Sequence, residues 1–340
     1  MYTDFYGFTE RPFQLTPDAR FYFDSRTHKK AMSYLGYGLA QGEGFIVITG
    51  EIGAGKSTLA QHLMGTIDRA RLNAISLVST QVEGDDVLRL VAQGMGLDTL
   101  SLVKAQLLER IEQWLEEEAR ARKRTLLIVD EAQNLFDSAL EELRMLSNFQ
   151  IGGQALIQIV LLGQPEFRDR LAGSIALEQL RQRVIANHHL EPIEKDELEP
   201  YVTHRLALVG WTGKPQFTDE AFAALYRHTQ GILRRVNQLA TRLMLFGAVE
   251  QLETIDADTV EAVVADFAAD GAAQQLERIA PARSASHPSD PARDLALERR
   301  LAMLEIRLEE QDIALRRVLS LLINWVEEDK AEVRYRHNAA

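Results

Sequence analysis

Five short apolar runs punctuate the first 190 residues: Phe45–Thr49, Ala74–Val78, Leu126–Val129, Ile157–Leu162 and Ala186–Leu190. Each is too short for a helix and is separated from the next by a stretch of helical periodicity. Strands alternating with helices predict a parallel sheet covered on both faces. Between the second and third runs, Leu107, Leu108, Ile111, Trp114 and Leu115 recur at helical spacing and predict a core-facing stripe with no cofactor role for its tryptophan. A helix is expected from Thr27 to about Gln41, capped near Ser25 or Thr27 and closed by Gly42 and Gly44. From Lys195 onward the strand signal disappears. Residues 195–209, 218–229, 232–248 and 256–269 all read as helices, with Thr218 and Asp256 as starts and Gly231 and Gly247 as breaks.

The two ends of the chain follow other rules. Tyr2, Phe5, Tyr6, Phe8, Phe13, Phe21, Tyr22 and Phe23 are eight of the 24 aromatic residues, and Pro12 and Pro17 interrupt any long helix among them. Residues 1–25 therefore read as an irregular arm packed on the body. Residues 270–293 are rich in Ala, Ser and Pro and read as a linker. Beyond it Leu297, Leu301, Leu304, Leu308, Gln311, Leu315, Val318, Leu322 and Trp325 alternate at spacings of four and three, a heptad seam. With Leu301 at a, the g and e positions pair Arg300 with Glu305 and Arg307 with Asp312 across a parallel dimer. Ile306 and Ile313 widen the apolar face, which also fits a higher oligomer or a helix folded back on its own body. The expected organisation is an α/β core at 1–194 including the arm, a helical lid at 195–269, a linker at 270–293 and a heptad helix at 294–328.

Composition narrows the function classes. At about 150 residues per domain, 340 residues suggest two domains. Hydrophobic residues make up 46%, enough for a real core. The longest apolar stretches, such as Leu126–Val129 and Ile159–Gly163, fall far short of the roughly 18 residues that span a bilayer, and no secretory signal is visible. Without cysteine there are neither disulfides nor thiolate metal sites, which fits a reducing cytoplasm. Of the net charge of −12, residues 271–340 contribute little, with 11 basic and 12 acidic side chains against 27 and 38 in the rest. An acidic body repels phosphate, so nucleic acid is not the expected partner.

The chemistry is carried by Gly50 to Ser57 (GEIGAGKS), which matches G-x-x-x-x-G-K-[ST] between the apolar run FIVIT and the helical TLAQHLM. Gly50, Gly53, Ala54 and Gly55 let backbone N–H groups turn inward around a phosphate, and the following helix aims its positive end there. Lys56 is expected to reach the β and γ phosphates, Ser57 to give a hydroxyl to Mg²⁺, and Thr58 to line the same helix start. About 75 residues downstream, Leu126 to Glu131 (LLIVDE) ends a buried strand in two carboxylates. Asp130 is expected at the Mg²⁺ hydration shell, and Glu131 as the base that polarises the attacking water.

Four further residues complete the candidate set. Gln164 follows IQIVLLG at the same sheet edge and is placed either to meet the γ-phosphate or orient water, or as a simple loop amide. Arg234, on the first turn of a helix in the lid, either reaches the nucleotide across the cleft or is a solvated charge; Arg235 is the fallback. Arg181 and Arg183 precede the fifth strand, where a guanidinium could enter a neighbouring subunit's site; Arg183 is preferred, and surface salt bridges are the alternative. The cluster Arg120, Arg122, Lys123 and Arg124 reads as a helix C-terminus complementing its own dipole. The eight histidines form no ligand pattern, since His188 and His189 are adjacent on a strand and face opposite sides.

Taken in order, GFIVITGEIGAGKSTL, LLIVDEAQNL, ALEELRMLSNFQ, IVLLGQPEFRDRL, LRQRV and GILRRVNQLA resemble the ExeA-like AAA+ secretion ATPases, as does the opening YTDFYGFTERPFQLTPDARFYFDSRTHKKAMSYLGYGLAQGEGF. The likeness covers residues 1–268 and is nearest to the subgroup tied to exosortase/PEP-CTERM and exopolysaccharide loci. It implies a P-loop AAA+ fold, Lys56 and Ser57 as Walker A, Asp130 and Glu131 as Walker B, Gln164 as sensor 1, Arg234 as sensor 2, and residues 8–23 as a cover for adenine. Leu233 stands where the family often has proline. ExeA itself continues into a transmembrane segment and a peptidoglycan-binding region, where this chain has a linker and a heptad helix.

The function expected is a cytoplasmic, Mg²⁺-dependent ATPase, homo-oligomeric, that switches envelope secretion or extracellular-polymer export. It would be recruited to the inner membrane by partners, through residues 294–325, rather than inserting directly. The alternatives are an ATP-dependent DNA-binding AAA+ regulator of the transposition type and a low-turnover ATP-binding scaffold.

Overall fold

The computed structural model describes residues 2–266 apart from 79, 80, 82 and 101. The expected linker and heptad helix lie outside the described residues, so their roles stay with the sequence.

All five apolar runs are strands of one sheet: β1 (Phe45–Gly50), β2 (Leu72–Val78), β3 (Arg124–Asp130), β4 (Ile157–Gly163) and β5 (Val184–Leu190), in the order β2-β3-β4-β1-β5. Every neighbouring pair is parallel, in registers such as Ile75↔Leu127, Leu127↔Ile159 and Ile46↔Val160. Period-two alternation sends the side chains of each strand to two cores. Phe45, Val47, Leu127, Val129, Ile159 and Leu161 face one side. There they meet α3 (Gly84–Gly94), α4 (Lys104–Arg120) and α5 (Asp137–Leu146). Ile46, Ile48, Leu126, Ile128, Val160 and Leu162 face the other, under α1 (Arg26–Gln41) and α2 (Lys56–Thr66). Leu107, Ile111 and Leu115 are buried and Leu108 and Trp114 pack partly against them, as the stripe on α4 predicts. Because all strands run the same way, the ends of β1, β3 and β4 bring the phosphate loop, Asp130 and Gln164 to a single sheet edge.

After β4 come α6 (Pro165–Gly173) and α7 (Glu178–Arg181). The helical part then consists of α8 (Lys195–Leu208), α9 (Asp219–Thr229), α10 (Leu233–Val249) and a last helical stretch at 257–266. Thr218 caps α9 as expected, its side chain accepting from the Ala221 N–H, and the Asp256 carboxylate accepts from the Thr259 N–H. Leu233 begins α10, so its replacement of proline does not displace the helix start.

Three expectations need correcting. Gly247 does not break a helix; it lies buried inside α10, where the arm leaves no room for a side chain. The helical part is not free of strand, because Gln216–Phe217 pairs in parallel with Thr254–Ile255. The arm is not wholly irregular, since Tyr2–Tyr6 is a short helix and Ala19–Phe21 a 3-10 turn. Its aromatic side chains also belong elsewhere than the α/β grouping implies. Tyr2, Tyr6, Phe8, Phe13 and Phe21 are buried with Leu198, Tyr201, Leu206, Leu225, Leu243 and Met244 in the helical core. Each such side chain contributes about 2–3 kcal/mol by leaving water, which makes the arm part of that core.

Candidate active site

The phosphate loop joins β1 to α2. Gly53 (φ 87°) and Gly55 (φ 100°) both take left-handed backbone, which side chains with a Cβ resist. Gly55 is the N-cap of α2, so the first free N–H groups of the helix open into the loop. Lys56 is 6% exposed, and its Nζ donates to the Gly50 carbonyl at 2.7 Å and the Glu51 carbonyl at 3.0 Å. Burial pushes its amine below the usual lysine range, and Glu131, Asp130, Glu51 and Glu166 oppose that shift.

Ser57 Oγ donates to Asp130 Oδ2 at 2.5 Å, and the other Asp130 oxygen accepts from the Glu131 N–H at 2.9 Å. These hard oxygens, with phosphate and water, suit Mg²⁺, which takes few protein ligands beside a phosphate chain. Glu131 itself is left-handed (φ 57°, ψ 43°), an unusual state for a residue with a long side chain. That turn carries its carboxylate out of the strand direction. Glu131 Oε2 accepts from Gln133 Nε2 at 2.5 Å and Gln164 Nε2 at 3.2 Å. Gln133 Oε1 in turn accepts from the Gln164 N–H at 3.1 Å. The three residues form a closed relay, completed through the Gln164 backbone N–H, that holds one carboxylate oxygen. Sequence reasoning had no role for Gln133; its only signal was its place two residues after Glu131.

The lid meets the loop through its backbone. The Arg234 N–H donates to the Gly53 carbonyl at 3.0 Å, and Gly231 O accepts from the Ile193 N–H at 3.1 Å. The exposed Arg234 side chain lines the cleft together with Lys56, Ser57, Thr58 and Glu131. The cleft has a volume of about 190 Å³, and Gln14 to Pro17 and Phe21 to Phe23 of the arm form its opposite wall. Arg205, 5% exposed and another residue the sequence reading passed over, holds that wall. Its Nη1 donates to the carbonyls of Pro12 at 3.1 Å and Gln14 at 3.4 Å, and its guanidinium lies 4.9 Å from the Phe21 ring centre.

The two trans candidates stand apart from this cleft. Arg181 Nη1 donates to the carbonyls of Leu171 at 3.1 Å and Ala172 at 2.8 Å at the end of α6. Arg183 precedes β5 at the opposite sheet edge, with Nη1 donating to Ser147 Oγ at 2.9 Å. Three of the four basic residues in the cluster have partners within the chain: Arg120 bonds Glu116, Lys123 pairs with Glu118, and Arg124 donates to the Leu39 carbonyl. His188 stacks on Tyr34 while His189 meets Thr49 Oγ1, so the two point to opposite faces. Among the described residues no group of three or more His, Cys, Asp or Glu is placed to hold a metal alone, and no helix is long and apolar enough to cross a membrane.

Residues 39–171 match the AAA domain family. The general secretion pathway protein A of Aeromonas hydrophila is 35% identical over 246 residues, which cover 72% of this chain and 44% of the relative. The chain thus spans less than half the length of that relative. Among solved structures, the ORC2 protein of Aeropyrum pernix in ADPNP-ADP complexes aligns with a TM-score of 0.55 at 15% identity over 75% of this chain and 71% of that one. The ORC1 protein of the same organism in complex with DNA aligns with a TM-score of 0.57 at 14% identity, covering 76% and 70%. These likenesses establish the fold, an AAA sheet domain followed by helices.

Proposed function

Because the chain belongs to the ExeA-like AAA family, we propose that it binds ATP with Mg²⁺, hydrolyses it, and uses the cycle to switch an assembly for envelope secretion or extracellular-polymer export. The observation that carries hydrolysis is the Glu131–Gln133–Gln164 relay beside the phosphate loop. A scaffold that only held ATP would need Lys56 and Ser57, but it would have no use for a carboxylate swung out on a left-handed turn and pinned by two amides. When bound, Mg²⁺ would screen the phosphate charge that develops during hydrolysis. Ser57 and Asp130 would hold it, Lys56 would bind the terminal phosphates, and Glu131 would take a proton from the attacking water. Gln164 would link the γ-phosphate to that carboxylate. The Arg234 N–H bond to the loop would report the state of the site to the lid.

Division of labour follows the sequence expectation. We assign catalysis to 1–194, the nucleotide-dependent movement to 195–269, and partner or self-association to residues 294–325. Following the sequence expectation, Arg183 is the residue proposed for a neighbour's site; it would give up one bond, to Ser147 Oγ, where Arg181 would give up two carbonyls. The acidic body favours a protein over DNA as the recipient of the signal. The test is steady-state ATPase activity with Lys56→Ala and Glu131→Gln in the full chain. The first should lose nucleotide affinity and the second turnover alone. Hydrolysis at the wild-type rate in both variants would sink the proposal.

A further inference from the structure

We propose that His28, which motif reasoning leaves without a role, is a nucleotide-contacting residue whose Nε2–H donates to an acceptor oxygen of the nucleotide seated on the phosphate loop. This rests on the nucleotide reading above and adds a donor to it from outside the loop. His28 lies on the first turn of α1, is 2% exposed, and lines the cleft beside Gly53, Gly55 and Ser57. Its Nε2 makes no hydrogen bond to any described residue. The ring edge that carries Nε2 abuts the loop: a methyl group built on Gly55 would stand 2.7 Å from it. The residue is buried, and its one unused nitrogen opens onto the cleft at the phosphate-binding turn, where a bound ligand would meet it.

The local hydrogen bonds decide which nitrogen carries the proton. Ser25 Oγ, on a residue 1% exposed, accepts from the His28 N–H at 3.3 Å and lies 2.7 Å from His28 Nδ1. A buried hydroxyl must also place its own proton. Nδ1 is the acceptor available to it among the described residues, so the hydroxyl donates to Nδ1 and the imidazole proton sits on Nε2. Tyr22 meets the ring edge-on, with centroids 5.8 Å apart, and is itself stacked at 3.7 Å on His62 of α2. The ring is thus clamped between the arm, α1 and the loop. Burial lowers its pKa to about 4, so it is neutral at pH 7 and remains a one-proton donor.

The experiment compares equilibrium binding of ATP to the full chain by calorimetry for wild type, His28→Gln and His28→Phe. A glutamine amide nitrogen reaches about where Nε2 does, whereas phenylalanine keeps the ring and removes the donor. The phenylalanine variant should bind about 5- to 50-fold more weakly, and the glutamine variant should stay within about threefold of wild type. Equal affinity of the phenylalanine variant, or an equal loss in both, overturns the inference, because packing alone would then explain the residue. Repeating the series with ADP and 2′-deoxy-ATP locates the acceptor. A loss confined to ATP marks the γ-phosphate, a loss absent with 2′-deoxy-ATP marks the ribose hydroxyl, and a loss with all three marks the inner phosphates. Each of these supports the donor. Should His28→Phe not fold, Ser25→Ala carries the test: it frees the tautomer and should weaken ATP about two- to fivefold, and unchanged affinity overturns the inference. Lys56→Ala is run in parallel. If wild type itself binds no ATP, the nucleotide reading fails; if wild type binds, Lys56→Ala does not, and His28→Phe matches wild type, the role of His28 alone fails.

Discussion

Replacing Gly247 with alanine should destabilise a helix that alanine ordinarily favours. In isolation Gly→Ala within a helix gains about 0.8–1.0 kcal/mol. Here the new methyl would fall well inside contact distance of the Tyr6 hydroxyl and 3.1 Å from Ile255 Cδ1. Tyr6 is 5% exposed and donates to the Leu252 carbonyl at 3.1 Å, so its ring cannot retreat without breaking that bond. Overpacking costs about 1–3 kcal/mol, and the lost hydrogen bond adds about 1 kcal/mol. Subtracting the propensity gain leaves a net loss of about 1–3 kcal/mol. Tyr6→Phe alone should cost about 1 kcal/mol. In the double variant the methyl takes the space of the missing oxygen, so its stability should approach that of Tyr6→Phe, a coupling of about 1–3 kcal/mol. Urea denaturation of the four proteins followed by tryptophan fluorescence and circular dichroism supplies the cycle. Additivity within about 0.5 kcal/mol, or a Gly247→Ala protein as stable as wild type, would refute the claim that the arm is built into the helical core. The same variant should raise the KM for ATP, since the arm forms one wall of the cleft.

Gln133→Ala should lower kcat about tenfold or more with ATP affinity preserved, because it removes the Gln133 bonds to the Glu131 carboxylate and to the Gln164 N–H and leaves that carboxylate held by Gln164 Nε2 alone; an unchanged kcat means the relay does not matter. Arg183→Ala should keep ATP binding and lose turnover by about 10³-fold or more, with activity returning on mixing with Lys56→Ala subunits, whereas Arg181→Ala should lower thermal stability and spare turnover; the reverse pattern exchanges their roles. The native His28 pKa of about 4 lies below its ordinary 6.5, so between those values the unfolded chain holds a proton that the native state lacks. Its contribution is therefore complete above pH 6.5 and falls as the pH drops toward 4, by about 3 kcal/mol in full; urea midpoints at pH 4.5, 5.5 and 7 should fall less steeply for His28→Gln, and an identical slope would dismiss the effect. Gel-shift titrations in ATP should find no binding of duplex DNA that weakens with added salt; a steep salt dependence would favour a DNA partner.

Much of the candidate site is legible along the chain because it is local. The phosphate loop is eight consecutive residues whose glycines and lysine act through their own backbone and immediate flanks. Asp130 and Glu131 sit at the end of a run of buried aliphatics, and a parallel sheet sends every such end to one edge. The alternation of short apolar runs with helical stripes therefore determined the fold class and the sheet, and the two motifs at strand ends supplied the candidate site residues. The same pattern also placed the start of the lid helix α10 at residue 232, one residue before the observed Leu233.

What only the tertiary structure decided involves partners far apart in sequence. No periodicity tells that Tyr6 will lie against Gly247, which made that glycine read as a helix break rather than as a point of close approach. Nor does any pattern tell that the arm's aromatics fill the helical core, or that Arg205 will hold the Pro12 and Gln14 carbonyls. Gln133 acquires its place from the left-handed turn at Glu131 and from β4 lying beside β3, and His28 from the packing of α1 against the phosphate loop. These side chains are set by volume exclusion and by the need of buried polar atoms to find partners, and both conditions exist only once the chain is packed.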